Sequence, residues 1–383
     1  MRFAIISTMQ DWPWGGSEEL WSRSASQLRR DGHDVYISIT HWPENDVRVR
    51  GFQEQGITVE SRPRFQPGRA RRMWHKVSHA LSSFDRLRQF APDLVLISQG
   101  HNAGGFAWAA ACRASGIPYA ILVNCNSDHW WFADSDFADA VSSYTQARKV
   151  LCVSKHNLNL LRFQLGESLP NACIVWNTYN VDPDSFPAWP ENRPYWHLAN
   201  VARLEPAAKG QDILLRIFAQ PKWRERPVWL NLYGSGPYEA ELRRIAESLS
   251  VDHVTFRGHV SDIRSIWQEN HLLVLPSRYE GLPLALVEAM WCARAAIVTD
   301  VGGNAELCLE SQTGFVASAA NTATFEDALE RAWQYRDDWR EMGLKARASA
   351  EKRIPRDPIT LFCERLMSCV IAPSHADAVV GVS

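Results

Sequence analysis

The chain has 383 residues, which is too many for one ordinary hydrophobic core and predicts two domains of similar size. Hydrophobic residues make up 46% and charged residues 22% of the sequence, as in a soluble globular protein, and the net charge of −2 argues against a protein that coats nucleic acid. The eight cysteines include no C-x-x-C pair and no cluster with histidine at zinc-ligand spacing, so we expect free thiols and no metal site.

The N-terminal segment enters a strand-like run directly and leaves it at the polar pair Ser7-Thr8. This run is too short for a signal peptide, and no 18 apolar residues occur consecutively in the sequence. We therefore expect a cytoplasmic protein, with peripheral contact to the cytoplasmic face of the membrane left open.

Short β-branched runs alternate with helix-length segments through the first half of the chain. They predict strands at residues 3–7, 35–39, 93–98, 119–124, 149–154 and 173–176. Such alternation is typical of β-α-β units, in which a parallel sheet carries helices on both faces.

The turn after the first predicted strand contains Gly15 and Gly16 and leads into a helix, for which Ser17 is the expected N-cap. Glycines at such a turn let a phosphate or a substrate approach the backbone closely. A purely structural turn is the alternative interpretation. The G-x-G-x-x-G pattern is absent, so a dinucleotide site is not predicted.

A basic segment, residues 62–76, follows the second predicted strand. It contains no acidic residue and six basic ones: Arg62, Arg64, Arg69, Arg71, Arg72 and Lys76. Phe65, Met73 and Trp74 are interleaved with these charges, as expected for a segment that rests on anionic lipid headgroups. A solvated arm is the alternative.

The alternating pattern restarts after a stretch with prolines at positions 183, 187, 190 and 194. Further strands are predicted within residues 196–204, 228–234, 253–258, 271–277, 295–300 and 314–318. We therefore predict two doubly wound α/β domains, residues 1–185 and 193–356. A charged helix near 325–352 and a second helix at 359–371 follow, and residues 357–383 are expected to return to the first domain.

Two glutamates stand out in the apolar stretch Ser277–Met290. Glu288 is the only charge in a predicted helix that begins at Pro283 and is apolar on nearly every side, so the helix should be buried. An unpaired buried carboxylate costs on the order of several kcal/mol, and hydroxyl groups of a bound sugar or ribose would supply the donors it needs. Glu280 lies in the loop before this helix, at the carboxyl end of a parallel strand, where such sheets bind ligands. Partners within the protein are the alternative.

The amides of Gly281 and Leu282 lead into the same helix, where an N-terminus can hold a phosphate. Arg203 and Lys209 form a second candidate pair, because both lie at the carboxyl edge of the second sheet. Two cations there suit a diphosphate, although basic residues at strand ends are commonly just solvated. Further strand-end loops contain Gly234 and the pair His259-Val260, and each is weak evidence alone.

Several of these motifs together resemble the retaining glycosyltransferases of family four, which have the GT-B architecture. The motifs that carry the resemblance lie, in the family's order, at residues 201–210, 232–237, 256–260, 276–290 and 299–307. In the first domain, residues 15–18 are similar to the family's N-terminal phosphate turn, and residues 150–157 to its last strand and helix. The resemblance implies two Rossmann-like domains that face a central cleft, with a C-terminal helix that crosses back to the first domain.

The resemblance also implies roles for these residues. Arg203 and Lys209 would bind and stabilise the donor diphosphate, Glu280 would hold hydroxyls of the donor sugar, and Glu288 those of the ribose. The backbone near His259 and Val260 would meet the base. Phosphates would be faced by amides of Gly16, Gly281 and Leu282. Many members have a histidine where this chain has Asn124, so the first-domain residue that touches the sugar is left open among Asn124, His101 and His129.

The expected function is transfer of a sugar from a UDP- or GDP-sugar to an acceptor hydroxyl with retention of configuration, in glycan, polysaccharide or glycolipid biosynthesis. No cofactor and no metal are expected, because cations and helix dipoles can neutralise the leaving diphosphate. The acceptor is a glycan, a lipid-linked or a small molecule, and the segment 129–134 is expected to stack on sugar. A sugar-nucleotide epimerase, a phosphorylase or a non-catalytic sugar-nucleotide-binding subunit are the alternatives.

Overall fold

The computed structural model describes residues 1–64, 83–190 and 194–371, which divide into two compact units. Unit 1 consists of Met1–Val153, Asn157–Asn177 and the chain from Asp357 onward. Unit 2 consists of Ser154–His156 and Thr178–Arg356. Residues 178–185, which the sequence-based boundary assigns to the first domain, thus group with unit 2.

Unit 1 is built on a parallel sheet that has the strand order β3-β2-β1-β4-β5-β6-β7 in its described part. The strands are β1 (Arg2–Ser7), β2 (Asp34–Thr40), β3 (Thr58–Arg62), β4 (Leu94–Gln99), β5 (Tyr119–Val123), β6 (Lys149–Cys152) and β7 (Ala172–Ile174). The helices are α1 (Gly16–Arg30), α2 (Asp46–Glu54), α3 (described over residues 83–90), α4 (Phe106–Ala114), α5 (Asp134–Thr145) and α6 (Lys155–Leu165).

Unit 2 is built on a second parallel sheet, which has the strand order β10-β9-β8-β11-β12-β13. Its strands are β8 (Trp196–Val201), β9 (Val228–Tyr233), β10 (Val254–Gly258), β11 (Leu272–Leu275), β12 (Ala295–Thr299) and β13 (Gly314–Ala317). Its helices are α7 (Pro206–Lys209), α8 (Gln211–Phe218), α9 (Pro221–Arg224), α10 (Glu239–Ser248), α11 (Ile263–Glu269), α12 (Leu284–Trp291), α13 (Asn304–Leu307), α14 (Thr322–Gln334) and α15 (Trp339–Arg353).

Each sheet has a point at which the strand order reverses direction. This point lies between β1 and β4 in unit 1 and between β8 and β11 in unit 2. Loops that leave the carboxyl ends of these neighbouring strands diverge, and the crevice between them is the usual ligand site of doubly wound sheets. The prediction of two doubly wound α/β domains is confirmed.

The last described helix, α16 (Pro358–Val370), returns to unit 1 and packs on α1. Cys363 is buried in this contact, and its thiol lies 3.6 Å from the carbonyl oxygen of Ser24. The expected return of the C-terminal helix to the first domain is confirmed.

Two details of the sequence-based assignment are wrong. The single helix expected near 325–352 is two helices, α14 and α15, separated by a short 3-10 turn at Arg336–Asp338. Trp339 fixes this break, because its buried indole Nε1 donates to the carbonyl of Ala332 at 2.9 Å. The sequence analysis also missed β3, whose buried side chain is Glu60 instead of an apolar residue.

Candidate functional site

Arg203 lies just after β8, where the strand order of unit 2 reverses. Its Nε donates to Oε2 of Glu205 at 2.9 Å, and Nη2 contacts the same oxygen. The backbone carbonyl of Arg203 accepts a hydrogen bond of 2.8 Å from the side-chain amide (Nε2) of the buried Gln211. Sequence analysis missed Glu205, although its position two residues after Arg203 was the available signal. The loop therefore holds the guanidinium in one place before any ligand arrives.

Lys209, the last residue of the short helix α7 after β8, contacts Glu280, which lies in the loop after the neighbouring strand β11. The Lys209 Nζ donates to Oε1 of Glu280 at 2.6 Å, and the hydroxyl of Ser277 donates to the same oxygen at 2.7 Å. The two charged side chains are 21% and 8% exposed, so the ion pair is largely shielded from water. A shielded pair of opposite charges at this edge suits a ligand that carries both an anionic group and hydroxyls.

Glu288 is 3% exposed and lies inside α12, as the sequence analysis expects. Its Oε1 accepts two hydrogen bonds of 2.9 Å, one from the backbone amide and one from the side-chain amide of Asn180. The protein therefore supplies two of the donors that this buried carboxylate needs, as the alternative interpretation allows, and the contact of Glu288 with a ribose stays a prediction. Sequence analysis missed Asn180, since nothing in its local pattern marks a contact with a residue 108 positions away.

Three glycines of unit 2 allow strand-end loops to pack closely on one another. A Cβ atom at Gly210 would overlap the carbonyl oxygen of Pro276, one at Gly234 that of Ala202, and one at Gly302 that of Glu280. In the structure, these glycines bring the site loops against each other, and the predicted contact of Gly234 with the donor stays a prediction. Pro276 and Glu280 belong to the same loop, so the position of Glu280 depends on this packing.

We expect Gly210→Ala to destabilise unit 2 by at least about 2 kcal/mol more than Gly258→Ala. Both glycines have a left-handed backbone, with φ of +66° and +70°, so both substitutions introduce similar backbone strain. Only Gly210 faces a backbone carbonyl, whereas the space beside Gly258 is open. Denaturant unfolding measures the difference, and equal losses of stability would show that loop packing contributes nothing.

The remaining donor-side candidates lie on the same edge of the second sheet. Gly281 and Leu282 are buried directly before α12, and the Gly281 carbonyl accepts from the Gly303 amide at 2.6 Å. His259 and Val260 follow β10, the edge strand, with His259 exposed and Val260 half-buried. Their contacts with a base or a phosphate stay a prediction.

In unit 1, Gly15 and Gly16 form the start of α1. Gly15 is the N-cap residue and has an extended backbone, and Ser17 lies inside the helix, so the expected Ser17 cap is wrong. Glu18 is buried in the first turn, and burial raises the pKa of its carboxyl to about 7. The role of the Gly16 amide towards a phosphate stays a prediction.

The three first-domain candidates for sugar contact follow β4 and β5. Asn124 is 7% exposed; its Nδ2 donates to Ser98 Oγ at 2.9 Å and to the Gln99 carbonyl at 3.1 Å, and its Oδ1 accepts no hydrogen bond from the described residues. His101 is exposed, and its ring lies 6.0 Å from that of Trp130. His129 is exposed on the loop after β5. The loops that carry these three residues lie at the carboxyl ends of the neighbouring strands β4 and β5. Which of the three contacts a sugar stays a prediction.

The basic segment is only partly described. Residues 65–82, and with them Arg69, Arg71, Arg72 and Lys76, lie outside the described residues. Arg62 donates to the carbonyl of Ser7 and lies 5.5 Å from the ring of Trp108. It therefore belongs to the interior of unit 1 and is not part of a solvated or lipid-binding arm.

The described residues offer neither a grouped set of metal ligands nor a membrane-spanning helix. No three His, Cys, Asp or Glu side chains among them are grouped as a metal ion requires. No helix in the same part of the chain combines the length and the apolar character needed to cross a membrane.

Two family models match the chain. The model described as Glycosyltransferase Family 4 matches residues 14–182, and the model described as Glycosyl transferases group 1 matches residues 197–335. The second match contains Arg203, Lys209, Glu280 and Glu288. Together the two models account for most of both units.

Curated relatives match over part of their length. The Vi polysaccharide biosynthesis protein VipC/TviE of Salmonella typhi is 34% identical over 110 residues, which are 28% of this chain and 19% of that protein. The D-rhamnosyltransferase WbpZ of Pseudomonas aeruginosa is 30% identical over 186 residues, which are 45% of this chain and 47% of that protein. The chain spans between 19% and 49% of the first curated relatives it matches.

A solved structure extends the likeness to nearly the whole chain. Anabaena Alr3699/HepE in complex with UDP superposes with a TM-score of 0.75 at 19% identity, over 96% of this chain and 100% of that chain. At this identity the likeness shows the fold. The two family models and the shared fold show that the chain belongs to the family-four, group 1 glycosyltransferases and has the GT-B fold.

Proposed function

We propose that the protein transfers a sugar from a nucleoside diphosphate sugar to a hydroxyl group of an acceptor, in the synthesis of a glycan, polysaccharide or glycolipid. The observation that carries this proposal is the Lys209–Glu280 ion pair, which lies with Arg203 at the carboxyl edge of the second sheet, where the strand order of unit 2 reverses. The solved complexes of Anabaena Alr3699/HepE with UDP, and with UDP and glucose, support a donor of this class.

The proposed roles follow from charge and position. Arg203 and Lys209 neutralise the diphosphate as it leaves, and Glu280 accepts hydrogen bonds from hydroxyls of the donor sugar. Glu288 accepts from the ribose, while the backbone at His259 and Val260 lies along the base. In this arrangement Glu280 also holds the Lys209 ammonium in position, since the two groups are 2.6 Å apart.

The proposed reaction retains the anomeric configuration. The bond from the sugar C1 to the diphosphate oxygen breaks, and a bond from C1 to the acceptor oxygen forms on the same face of the ring. The acceptor proton passes to an oxygen of the leaving phosphate. The carboxylate of Glu280 is already held by Lys209 and Ser277, which suits a binding group better than a nucleophile.

Incubation with a panel of UDP-, GDP- and ADP-sugars tests the proposal and identifies the donor. A glycosyltransferase hydrolyses its donor slowly when no acceptor is present, so one sugar nucleotide should release free sugar and nucleoside diphosphate. An epimerase would convert the sugar nucleotide without releasing it. A non-catalytic subunit would bind one member of the panel and leave it unchanged.

Donor turnover is expected to survive removal of divalent metal ions. The proposed diphosphate site holds two cationic side chains, and these can supply the charge that a metal supplies in other transferases. Turnover with and without EDTA is the measurement. Loss of activity in EDTA, restored by Mg²⁺ or Mn²⁺, would show that the two side chains are not sufficient.

We also propose a cytoplasmic location with peripheral membrane contact through the basic segment. Its sequence predicts that the protein sediments with vesicles containing anionic lipid and that salt releases it, because each basic contact contributes roughly 1 kcal/mol and is screened. Replacement of Arg69, Arg71 and Arg72 with serine should abolish sedimentation without changing nucleotide binding. If the wild-type protein does not sediment with such vesicles at low salt, the proposed membrane contact is excluded.

A further inference from the structure

An exposed pair of aromatic rings lies on unit 1, apart from the residues proposed to bind the donor. Trp131, on the loop after β5, is 61% exposed, and Phe163, on α6, is 73% exposed. Their ring centroids are 6.0 Å apart, and the planes meet at 73°. Exposure of two adjacent large apolar side chains to water is unfavourable, and a ligand that covers both rings would recover this free energy.

The loop that carries Trp131 is held rigidly from beneath. The buried Gln164 side chain donates to the carbonyls of Ser127 and Trp130 at 3.0 and 2.9 Å and accepts from Asn126 at 2.8 Å. The indole Nε1 of Trp131 donates to the Asp128 carbonyl at 2.8 Å, which fixes the ring. Rigid, presented aromatic faces lose little conformational entropy when a ligand stacks on them.

Gln164 and Phe163 are neighbours on α6. This helix therefore fixes the position of the loop that carries Trp131 and also carries the second ring of the pair. Asn102, on the loop after β4, also donates to the Trp130 carbonyl at 3.0 Å. The pair is therefore linked to the loops that carry His101 and Asn124. These loops leave the carboxyl ends of β4 and β5, the edge at which a doubly wound sheet binds its ligands.

The stretch of chain that contains Trp131 carries an excess of negative charge. Residues 128–139 contain Asp128, Asp134, Asp136 and Asp139 and no lysine or arginine. All four aspartates are exposed and lie within eight residues of Trp131 along the chain, and we call them the acidic rim. On α6, Lys155 and Arg162 offset two of these four charges. Such a rim repels anionic lipid headgroups and acidic sugars. The C–H faces of an uncharged pyranose ring suit the aromatic faces, and its hydroxyls can donate to the aspartates.

We propose that Trp131 and Phe163 form a binding platform for pyranose rings of an uncharged glycan, which is the acceptor of this enzyme. The identification of the glycan as acceptor rests on the proposed transfer function, whereas the binding site itself rests on the aromatic pair and its acidic rim.

Saturation-transfer NMR with the full chain tests the platform without requiring turnover. Cellohexaose, maltohexaose, chitohexaose and mannohexaose serve as uncharged probes, and hexagalacturonate serves as the acidic one. At least one uncharged probe should bind with its ring C–H protons saturated, and Trp131→Ala should weaken its binding at least about tenfold. Trp131→Phe should restore most of the affinity.

Tyr195→Ala is the matched control. Tyr195 is an exposed aromatic, and its ring makes the same kind of contact with Trp229 in unit 2, at 6.0 Å and 74°. Its replacement should leave glycan binding unchanged. Melting temperatures of all variants show whether each one folds, and Trp131 is exposed enough that its replacement should not lower the melting temperature.

Donor hydrolysis separates failure of the platform from failure of the proposed function. The protein could bind glycan through Trp131 and yet cleave no sugar nucleotide. That result would support the platform as a glycan-binding site and refute its identification as the acceptor site. Hydrolysis without binding of any uncharged hexasaccharide at 10 mM, on the order of the weakest specific affinities, would overturn the platform. Preferential binding of hexagalacturonate, or Trp131-dependent binding to phosphatidylserine vesicles, would overturn it as well.

Discussion

Replacement of Lys209 with alanine is expected to lower the rate of sugar transfer at least ~100-fold, the scale for removal of one group that stabilises a developing negative charge. The Lys209 ammonium sits 2.6 Å from the Glu280 carboxylate and is only 21% exposed, so water cannot fully replace it. Its removal also takes the 2.6 Å ion pair away from Glu280 in a shielded place. Both effects act on the same step, the departure of the diphosphate.

The matched control for this experiment is Lys222→Ala. Lys222 also belongs to unit 2 and also forms ion pairs, with Glu326 at 2.6 Å and Glu330 at 3.0 Å. It lies on α9, however, and its side chain is 47% exposed. Its loss should change transfer by no more than about twofold, because exposed ion pairs contribute little. If folded Lys209→Ala protein transfers sugar as fast as the control, Lys209 has no part in the reaction.

The two glutamates are expected to separate binding from transfer. Glu280→Gln should abolish transfer and leave the binding of free nucleoside diphosphate nearly intact, because its proposed target is the donor sugar. Glu288→Gln should weaken that binding about tenfold or more, since a charge-assisted hydrogen bond to the ribose becomes a neutral one. Calorimetric titration of UDP and GDP, paired with donor turnover, measures both effects.

Glu288→Gln has a second consequence that the structure makes specific. Oε1 of Glu288 holds the backbone amide of Asn180, so the substitution also weakens the attachment of residues 178–185 to unit 2. Asn180→Ala removes only the side-chain donor and is the control for this effect. The opposite pattern, in which Glu280→Gln loses the nucleotide and Glu288→Gln retains it, would show that the two roles are exchanged.

The parts of the fold that sequence predicts are those governed by local chemistry. Strands buried on both faces of a parallel sheet, such as β11 (Leu272–Leu275), read as uninterrupted apolar runs. By contrast β3 buries Glu60, which accepts from Tyr36 at 2.5 Å and from Ser38 and Ser83 at 2.9 Å. Those donors lie more than 20 residues away, so the local sequence shows a polar segment and no strand.

The same distinction applies to the site. Glu280 and Glu288 are conspicuous in sequence because a charge inside an apolar segment is expensive. Their partners are not conspicuous: the sequence predicts Lys209 beside a diphosphate and gives no sign of its contact with Glu280. Asn180 looks like an ordinary loop residue until the fold brings it to Glu288, 108 positions away, whereas Glu205 is already a sequence neighbour of Arg203.

A crystal structure of the full chain with the nucleoside diphosphate selected by the donor panel is the most direct test of the proposed donor site. We expect phosphate oxygens about 3 Å from the Arg203 guanidinium and the Lys209 ammonium. Ribose hydroxyls should lie at a similar distance from the Glu288 carboxylate. A diphosphate bound elsewhere on the chain, with Arg203 still held by Glu205 and Lys209 by Glu280 and no phosphate near either, would contradict the proposed donor site.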